Sequence, residues 1–296
     1  MKKKIITALL NAVFIFSSKI TAENNPVHAP IPYVDFDISM QREKYDTLLQ
    51  GSKLILYNFF KRCYELSYPL VAIPMEKAII PNKIHFIWLG SPLPTQYIPI
   101  IQSWIDYNPE CTVKIWTDAD AETFNFENKD MFNQETNYGA KSDILRVAIL
   151  EREGGIYADI DQECLKSMKS IRHSVHFAIG IQPLDTNSVQ LGIGLIASVP
   201  QHPFLHYLIK KLKYNKDIQQ IIVKTGPIFF TKCFIEFFGK SGLQDIALPA
   251  SYFYPCGYTE RGQPSEVWHK DEAYAVHHWA GSWLKKEGCV PGTFKG

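Results

Sequence analysis

Between Gly139 and Asp161 the sequence changes its period. Gly139 to Glu153 carries apolar residues at helical spacing, and Gly154-Gly155 ends that pattern with a backbone that tolerates positive φ. A strand is expected at once. In it Ile156, Ala158 and Ile160 face the core, while Tyr157, Asp159 and Asp161 share the other side. Upstream the same alternation recurs: Lys83 to Leu89 reads as a strand, Gln96 to Tyr107 as a helix and Thr112 to Trp116 as a second strand. Strand and helix in alternation predict an α/β fold with a largely parallel central sheet.

The 296 residues are 46% hydrophobic and 21% charged, enough apolar material for one large domain with appendages. With 31 basic against 30 acidic residues the net charge is +1, which gives no field suited to nucleic acid. Lys2-Lys3-Lys4 followed by the apolar run Ile5 to Phe16 and then Ile20-Thr21-Ala22 has the form of a cleaved secretory signal, or of an uncleaved anchor. That run is shorter than the roughly 20 residues that span a bilayer, so membrane contact is expected only through this segment, and the body is expected in an exported compartment. Residues 1–22 are accordingly read as the signal, 23–78 as a linker and helical extension (helical from Ser39 to Tyr68), 79–284 as the α/β domain and 285–296 as a tail. Six cysteines, Cys63, Cys111, Cys164, Cys233, Cys256 and Cys289, allow some disulfides there; their wide spacing does not suit a zinc site.

The two carboxylates of Asp159 and Asp161, about 7 Å apart on one strand face, suit a hard divalent cation, which takes oxygen ligands and keeps phosphate oxygens in its shell. Asp143 and Arg146, at i and i+3 on the preceding helix, can serve the same site: Arg146 toward a phosphate or sugar oxygen, Asp143 toward a sugar hydroxyl. The alternatives are a solvated strand edge and a surface ion pair.

Three segments in order, Ile84-His85-Phe86-Ile87-Trp88-Leu89-Gly90, Ser142-Asp143-Ile144-Leu145-Arg146 and Gly154-Gly155-Ile156-Tyr157-Ala158-Asp159-Ile160-Asp161, resemble the sugar-binding DXD region of glycosyltransferase family 32. That family includes the yeast initiating α-1,6-mannosyltransferase and is similar to the glucosyltransferase domain of large clostridial toxins. The resemblance, running from about Ile80 to Trp283, implies a GT-A fold, a Mn²⁺ or Mg²⁺ ion, and a UDP-sugar or GDP-sugar donor. It further implies transfer of a hexose, with retention, to a glycan, glycolipid or protein acceptor. Front-side attack by the acceptor hydroxyl is expected, the leaving phosphate taking its proton.

By the same resemblance Trp88 stacks on the nucleotide base, Asp143 and Arg146 contact the donor sugar, Tyr157 lines the donor pocket, Asp159 contacts sugar and ribose, and Asp161 ligates the metal. Thr225-Gly226-Pro227 opens a helix as in the family, which puts Gly226 at the cofactor. His277, in His277-His278-Trp279-Ala280-Gly281-Ser282-Trp283, matches the histidine that completes the metal or diphosphate site, with His278 in reserve. One departure concerns Leu191-Gly192-Ile193-Gly194, where relatives often carry Asn; Asn187 or Gln190 is the expected substitute. Two other classes stay open, a non-catalytic sugar-nucleotide or glycan-binding protein and a metal-dependent phosphohydrolase.

Overall fold

The computed structural model describes residues 29–281. The expected signal, the tail, Ser282, Trp283 and Cys289 lie outside the described residues. Lys83–Ile87 forms β1, Ile98–Tyr107 α2 and Thr112–Trp116 β2, with a 3-10 turn at Thr95–Tyr97 leading into α2. The expected helix before the glycines is α3, Tyr138–Glu153, opened by the Asn137 side chain, which accepts from the N–H groups of Gly139 and Ala140. At its end Gly154 and Gly155 have φ of 60° and 102°. Gly155 is required twice over, because a Cβ there would lie 2.6 Å from the Lys83 carbonyl oxygen.

The central sheet has six strands. Beside β1 and β2 stand β3 (Gly155–Ala158), β5 (Phe177–Ile181), β6 (Leu191–Ser198) and β7 (Asp245–Leu248), in the order β2-β1-β3-β6-β5-β7. Pairs β1/β2, β1/β3 and β5/β7 are parallel; β6 runs antiparallel to both neighbours. The α/β class with a mostly parallel sheet is therefore as expected, with one strand reversed. β6 is buried along all eight residues, as is usual for a strand covered on both faces. Helices α4 (Pro203–Leu212) and α5 (Pro227–Phe237) pack with α3 and β6.

Two expectations change. The strand carrying Tyr157 ends at Ala158, and Asp159 to Asp161 form the turn into a separate short strand, β4 (Gln162–Cys164), which pairs with β8 (Ala275–His277). Ile160 and both aspartates thus leave the pleat, and the face alternation stops at Ala158. The N-terminal helical stretch is broken: short helices at Phe36–Ser39 and Arg42–Tyr45 precede α1, Ser52–Val71, which packs on β7. The five described cysteines are free thiols. Among the described residues no helix is long and apolar enough to cross a membrane.

Candidate donor and metal site

The site lies where β3 ends. Asp159 is anchored by its own backbone, its N–H donating to the Gly194 carbonyl at 2.6 Å, while the Gln162 N–H returns to the Asp159 carbonyl at 2.9 Å. The turn is thereby closed on β6. Asp159 Oδ1 accepts from the Tyr157 hydroxyl at 2.6 Å and lies 3.2 Å from Arg146 Nη1. That guanidinium also donates to the Ile193 carbonyl at 2.5 Å, reaches Asp143 Oδ1 at 2.9 Å and stands 4.4 Å over the Tyr157 ring. Asp143 Oδ2 accepts from the Thr225 hydroxyl at 2.8 Å. The i,i+3 pair of α3 is thus a buried network and not a surface ion pair: Asp143 is 6% exposed and Arg146 4%.

Asp161 is held from the other direction. Its carbonyl accepts the His278 N–H at 3.0 Å and its Oδ2 the Ala280 N–H at 2.8 Å. This double hold forces the intervening Trp279 to φ 53°, a conformation rare for a bulky residue, and seats its ring 4.4 Å from the His277 ring. His277 Nε2 lies 3.3 Å from Asp161 Oδ1 and 3.7 Å from Asp159 Oδ2. His278, in contrast, pairs with Glu163 at 2.8 Å, so His277 faces the carboxylates and His278 does not.

Burial acts against charge throughout. It raises the Asp143 carboxyl to about 6 even with Arg146 opposing. At Asp161 burial also pushes upward, but His277 and the Ala280 N–H outweigh it and bring the group down to about 2; at Asp159 Arg146 and His277 likewise prevail and lower it. His277, which burial alone would neutralise, is held up at about 10 by Asp161 and Asp159. An imidazolium sits where two carboxylates call for a cation. The nearest ligand atoms of Asp159, Asp161 and His277 lie within 4.8 Å of one another, and two oxygens with one imidazole nitrogen suit a borderline divalent ion such as Mn²⁺.

The other expected residues stand around this cluster. Trp88 follows β1 and is half-buried, its indole N–H shared between Ser91 Oγ and the Pro92 carbonyl, its ring 5.3 Å from that of Tyr97. Tyr157 is fully buried. Gly226 caps α5 with its N–H given to the Ile221 carbonyl. Asn187 accepts from Lys53 and Gln190 donates to Gln182, so both are engaged elsewhere. The Leu191 to Gly194 run contributes through its backbone, and Gly194 leaves room for Asp159, since a Cβ there would come within 2.9 Å of Asp159 Oδ2 and displace the carboxylate. Three contacts at the site were not foreseen, one of them by Thr225 of the Thr225-Gly226-Pro227 segment. Thr225 holds Asp143, Gln162 stands directly opposite His277 on the β4/β8 ladder, and the Tyr254 hydroxyl accepts the N–H groups of Gly194 and Leu195 at 3.0 and 3.2 Å.

The family model described as a glycosyltransferase sugar-binding region containing a DXD motif matches residues 94–178, which include Asp143, Arg146, Tyr157, Asp159 and Asp161 but not Trp88, Gly226 or His277. The mannosyl phosphorylinositol ceramide synthase CSH1 of Saccharomyces cerevisiae is 28% identical over 188 residues, 59% of this chain and 49% of its own length. The uncharacterized glycosyltransferase L373 of Acanthamoeba polyphaga mimivirus is 27% identical over 217 residues, 69% of this chain and 84% of that one. The chain thus spans about half the length of the yeast relative. A solved structure titled PaToxG glycosyltransferase aligns at 19% identity and a TM-score of 0.45, covering 67% of this chain and 80% of that one.

Proposed function

We propose that this chain is a glycosyltransferase of the kind whose sugar-binding region contains a DXD motif, and that it moves a hexose from a nucleotide-sugar donor to an acceptor hydroxyl in a metal-dependent reaction. The observation that carries the reading is the convergence of Asp159, Asp161 and His277 on one point beside the buried Arg146. Asp161 and His277 would hold Mn²⁺ or Mg²⁺, and Asp159 faces both the cation and the donor. The imidazole nitrogen favours Mn²⁺, since Mg²⁺ prefers an all-oxygen shell. When bound, the cation supplies positive charge against the departing nucleoside diphosphate.

The chain's own residues do the rest. Arg146 fixes the carboxylates of Asp143 and Asp159 so that they present oxygens to sugar and ribose hydroxyls, and adds its charge to the field on the leaving group. The Tyr157 hydroxyl donates to the same Asp159 oxygen that Arg146 meets and helps to fix it. Trp88, at the mouth of β1, stacks on the base, and Gly226 allows close approach of the α5 end to the donor. Among the described residues the carboxylates of Asp143 and Asp159 are tied to Arg146 and that of Asp161 to His277, so front-side attack with retention fits, the leaving phosphate oxygen accepting the proton. The relatives, which include a mannosyl phosphorylinositol ceramide synthase, favour mannose and a glycolipid acceptor, with glucose or galactose and a glycan or protein acceptor as the other arms of the test.

The experiment is donor hydrolysis by the purified chain across UDP- and GDP-hexoses, with Mn²⁺ and with chelator. Release of nucleoside diphosphate and free hexose that stops on chelation is expected. Free inorganic phosphate instead would identify a phosphohydrolase, and donor binding without turnover a binding protein.

A further inference from the structure

Two buried polar side-chain atoms at the site have no hydrogen-bond partner among the described residues, Gln162 Oε1 and His277 Nδ1. They belong to residues that face each other directly on the β4/β8 antiparallel ladder, where opposite side chains share a face with Cβ atoms about 5 Å apart. Their chemistry is complementary. Gln162 donates through Nε2 to the Phe253 carbonyl at 2.6 Å, which fixes the amide orientation and leaves the carbonyl oxygen as the orphan acceptor. His277 turns Nε2 toward Asp159 and Asp161, which leaves Nδ1–H as the orphan donor. Gly194 ties the two together: the position of its absent Cβ is 3.4 Å from Gln162 Oε1 and 2.9 Å from Asp159 Oδ2, the carboxylate oxygen that His277 also approaches.

The geometry points to Gln162 as the positioning residue of His277, its Oε1 accepting a hydrogen bond from Nδ1–H through one water so that Nε2 is presented to the cation. Gln162 is suited to this by its rigidity. It is fully buried, its backbone carbonyl accepts the Trp104 indole N–H at 2.6 Å, and α2 packs against β4. Histidines that bind metals are held in one tautomer by such a partner, and losing it weakens metal binding about 10–100-fold. The inference rests on the metal reading above, and it is tested by a readout that does not require turnover.

Mn²⁺ affinity of the full chain is measured by electron paramagnetic resonance for wild type, Gln162→Met and Gln162→Glu. Both variants orphan the Phe253 carbonyl, but only Gln162→Met removes the acceptor facing His277. Gln162→Met is expected to bind Mn²⁺ about 10–100-fold more weakly, while Gln162→Glu stays at or above wild-type affinity with a comparable loss of thermal stability. In parallel, the ¹⁵N and proton resonances of His277 in the metal-free chain are compared, Gln162→Met moving the Nδ1 proton upfield. Equal Mn²⁺ affinity of Gln162→Met and wild type, or an unmoved Nδ1 resonance, overturns the pairing. A wild-type chain that binds no Mn²⁺ overturns the metal reading instead, and the resonance comparison then decides the pairing by itself.

Discussion

Asp161 is gripped at its carbonyl and at its carboxylate by the segment that carries His277, so removing its charge has two separable effects. Asp161→Asn is expected to take metal-dependent donor hydrolysis to background, since Asn keeps the size but not the charge that offsets a divalent ion. In the metal-free protein it also leaves His277 short of a counter-charge, and breaking a buried pair costs about 3–5 kcal/mol. Two carboxylates on an open strand face would repel, and removing one would add a little stability; here burial and the His277 and Arg146 partners reverse that sign. Urea melts with activity assays at fixed Mn²⁺ check both effects. Thr225→Val makes a parallel case: a buried Asp143 oxygen loses its partner, stability should fall by about 1–3 kcal/mol, and Thr225→Ser should restore most of it. Asp143, Arg146, Asp159 and Asp161 were legible as candidates from charged residues at helical and strand spacing beside apolar runs, a pattern that left a solvated edge and a surface ion pair open, and the resemblance to the family singled them out, as it alone did His277. The contacts made by Thr225, Gln162 and Tyr254 were not legible, although the Thr225-Gly226-Pro227 segment was singled out, because a hydroxyl or an amide is common anywhere and only the tertiary fold brings these to Asp143, His277 and Gly194.

At the scale of elements, β1 and the end of α3 are joined by His85. Its Nε2 donates to the Gly154 carbonyl at 2.9 Å and its Nδ1 accepts from the Trp116 indole at 3.2 Å, which requires the neutral ring. Burial is the main reason its basicity falls to about 4. The folded value lies below the unfolded 6.5, so the unfolded chain binds the extra proton first. The contribution is complete above pH 6.5 and is lost as pH falls toward 4, with about 2 kcal/mol gone by pH 5. His85→Gln should therefore show a stability difference between pH 7 and pH 5 that is smaller by about that amount, read from urea midpoints at each pH. Elements with a strong local pattern were readable in advance: β2 ends where it was expected, and α3 begins one residue early. The reversed direction of β6 was not, since an all-apolar run such as Leu191 to Ser198 carries no mark of orientation. Nor was the early end of β3, because Asp-x-Asp alternation reads as strand while the Asp159 N–H bond to Gly194 converts it to a turn.

At the scale of the molecule, residues 29–78 looked like an appendage, polar at first and then helical, with nothing local to say what they cover. They cover the far edge of the sheet. Tyr57, Phe60, Tyr64 and Val71 of the α1 region are fully buried in the same core as the sheet, with Phe60 stacked 6.0 Å from Phe234 of α5. The Tyr64 and Tyr252 hydroxyls meet at 3.0 Å, Tyr252 also donates to the Pro32 carbonyl, and Ser39 bonds Ser251 at 2.6 Å. Tyr252 and Ser251 belong to the 250–256 segment that places Tyr254 under Gly194, so the extension is coupled to the site through one short stretch of chain. Removing residues 29–78 would expose the partners of four large apolar side chains, each worth about 1.5–3 kcal/mol when buried. The sum reaches the whole stability of an ordinary domain, about 5–15 kcal/mol. A chain starting at residue 79 is therefore expected to lose cooperative unfolding in a thermal melt, with or without Mn²⁺. The milder Tyr64→Phe, which removes only the hydroxyl, should keep a cooperative melt at reduced stability. A truncated chain that melted cooperatively and still hydrolysed donor would mean that the sheet and the Asp159/Asp161/His277 cluster hold themselves without the extension, against the packing of α1 on β7.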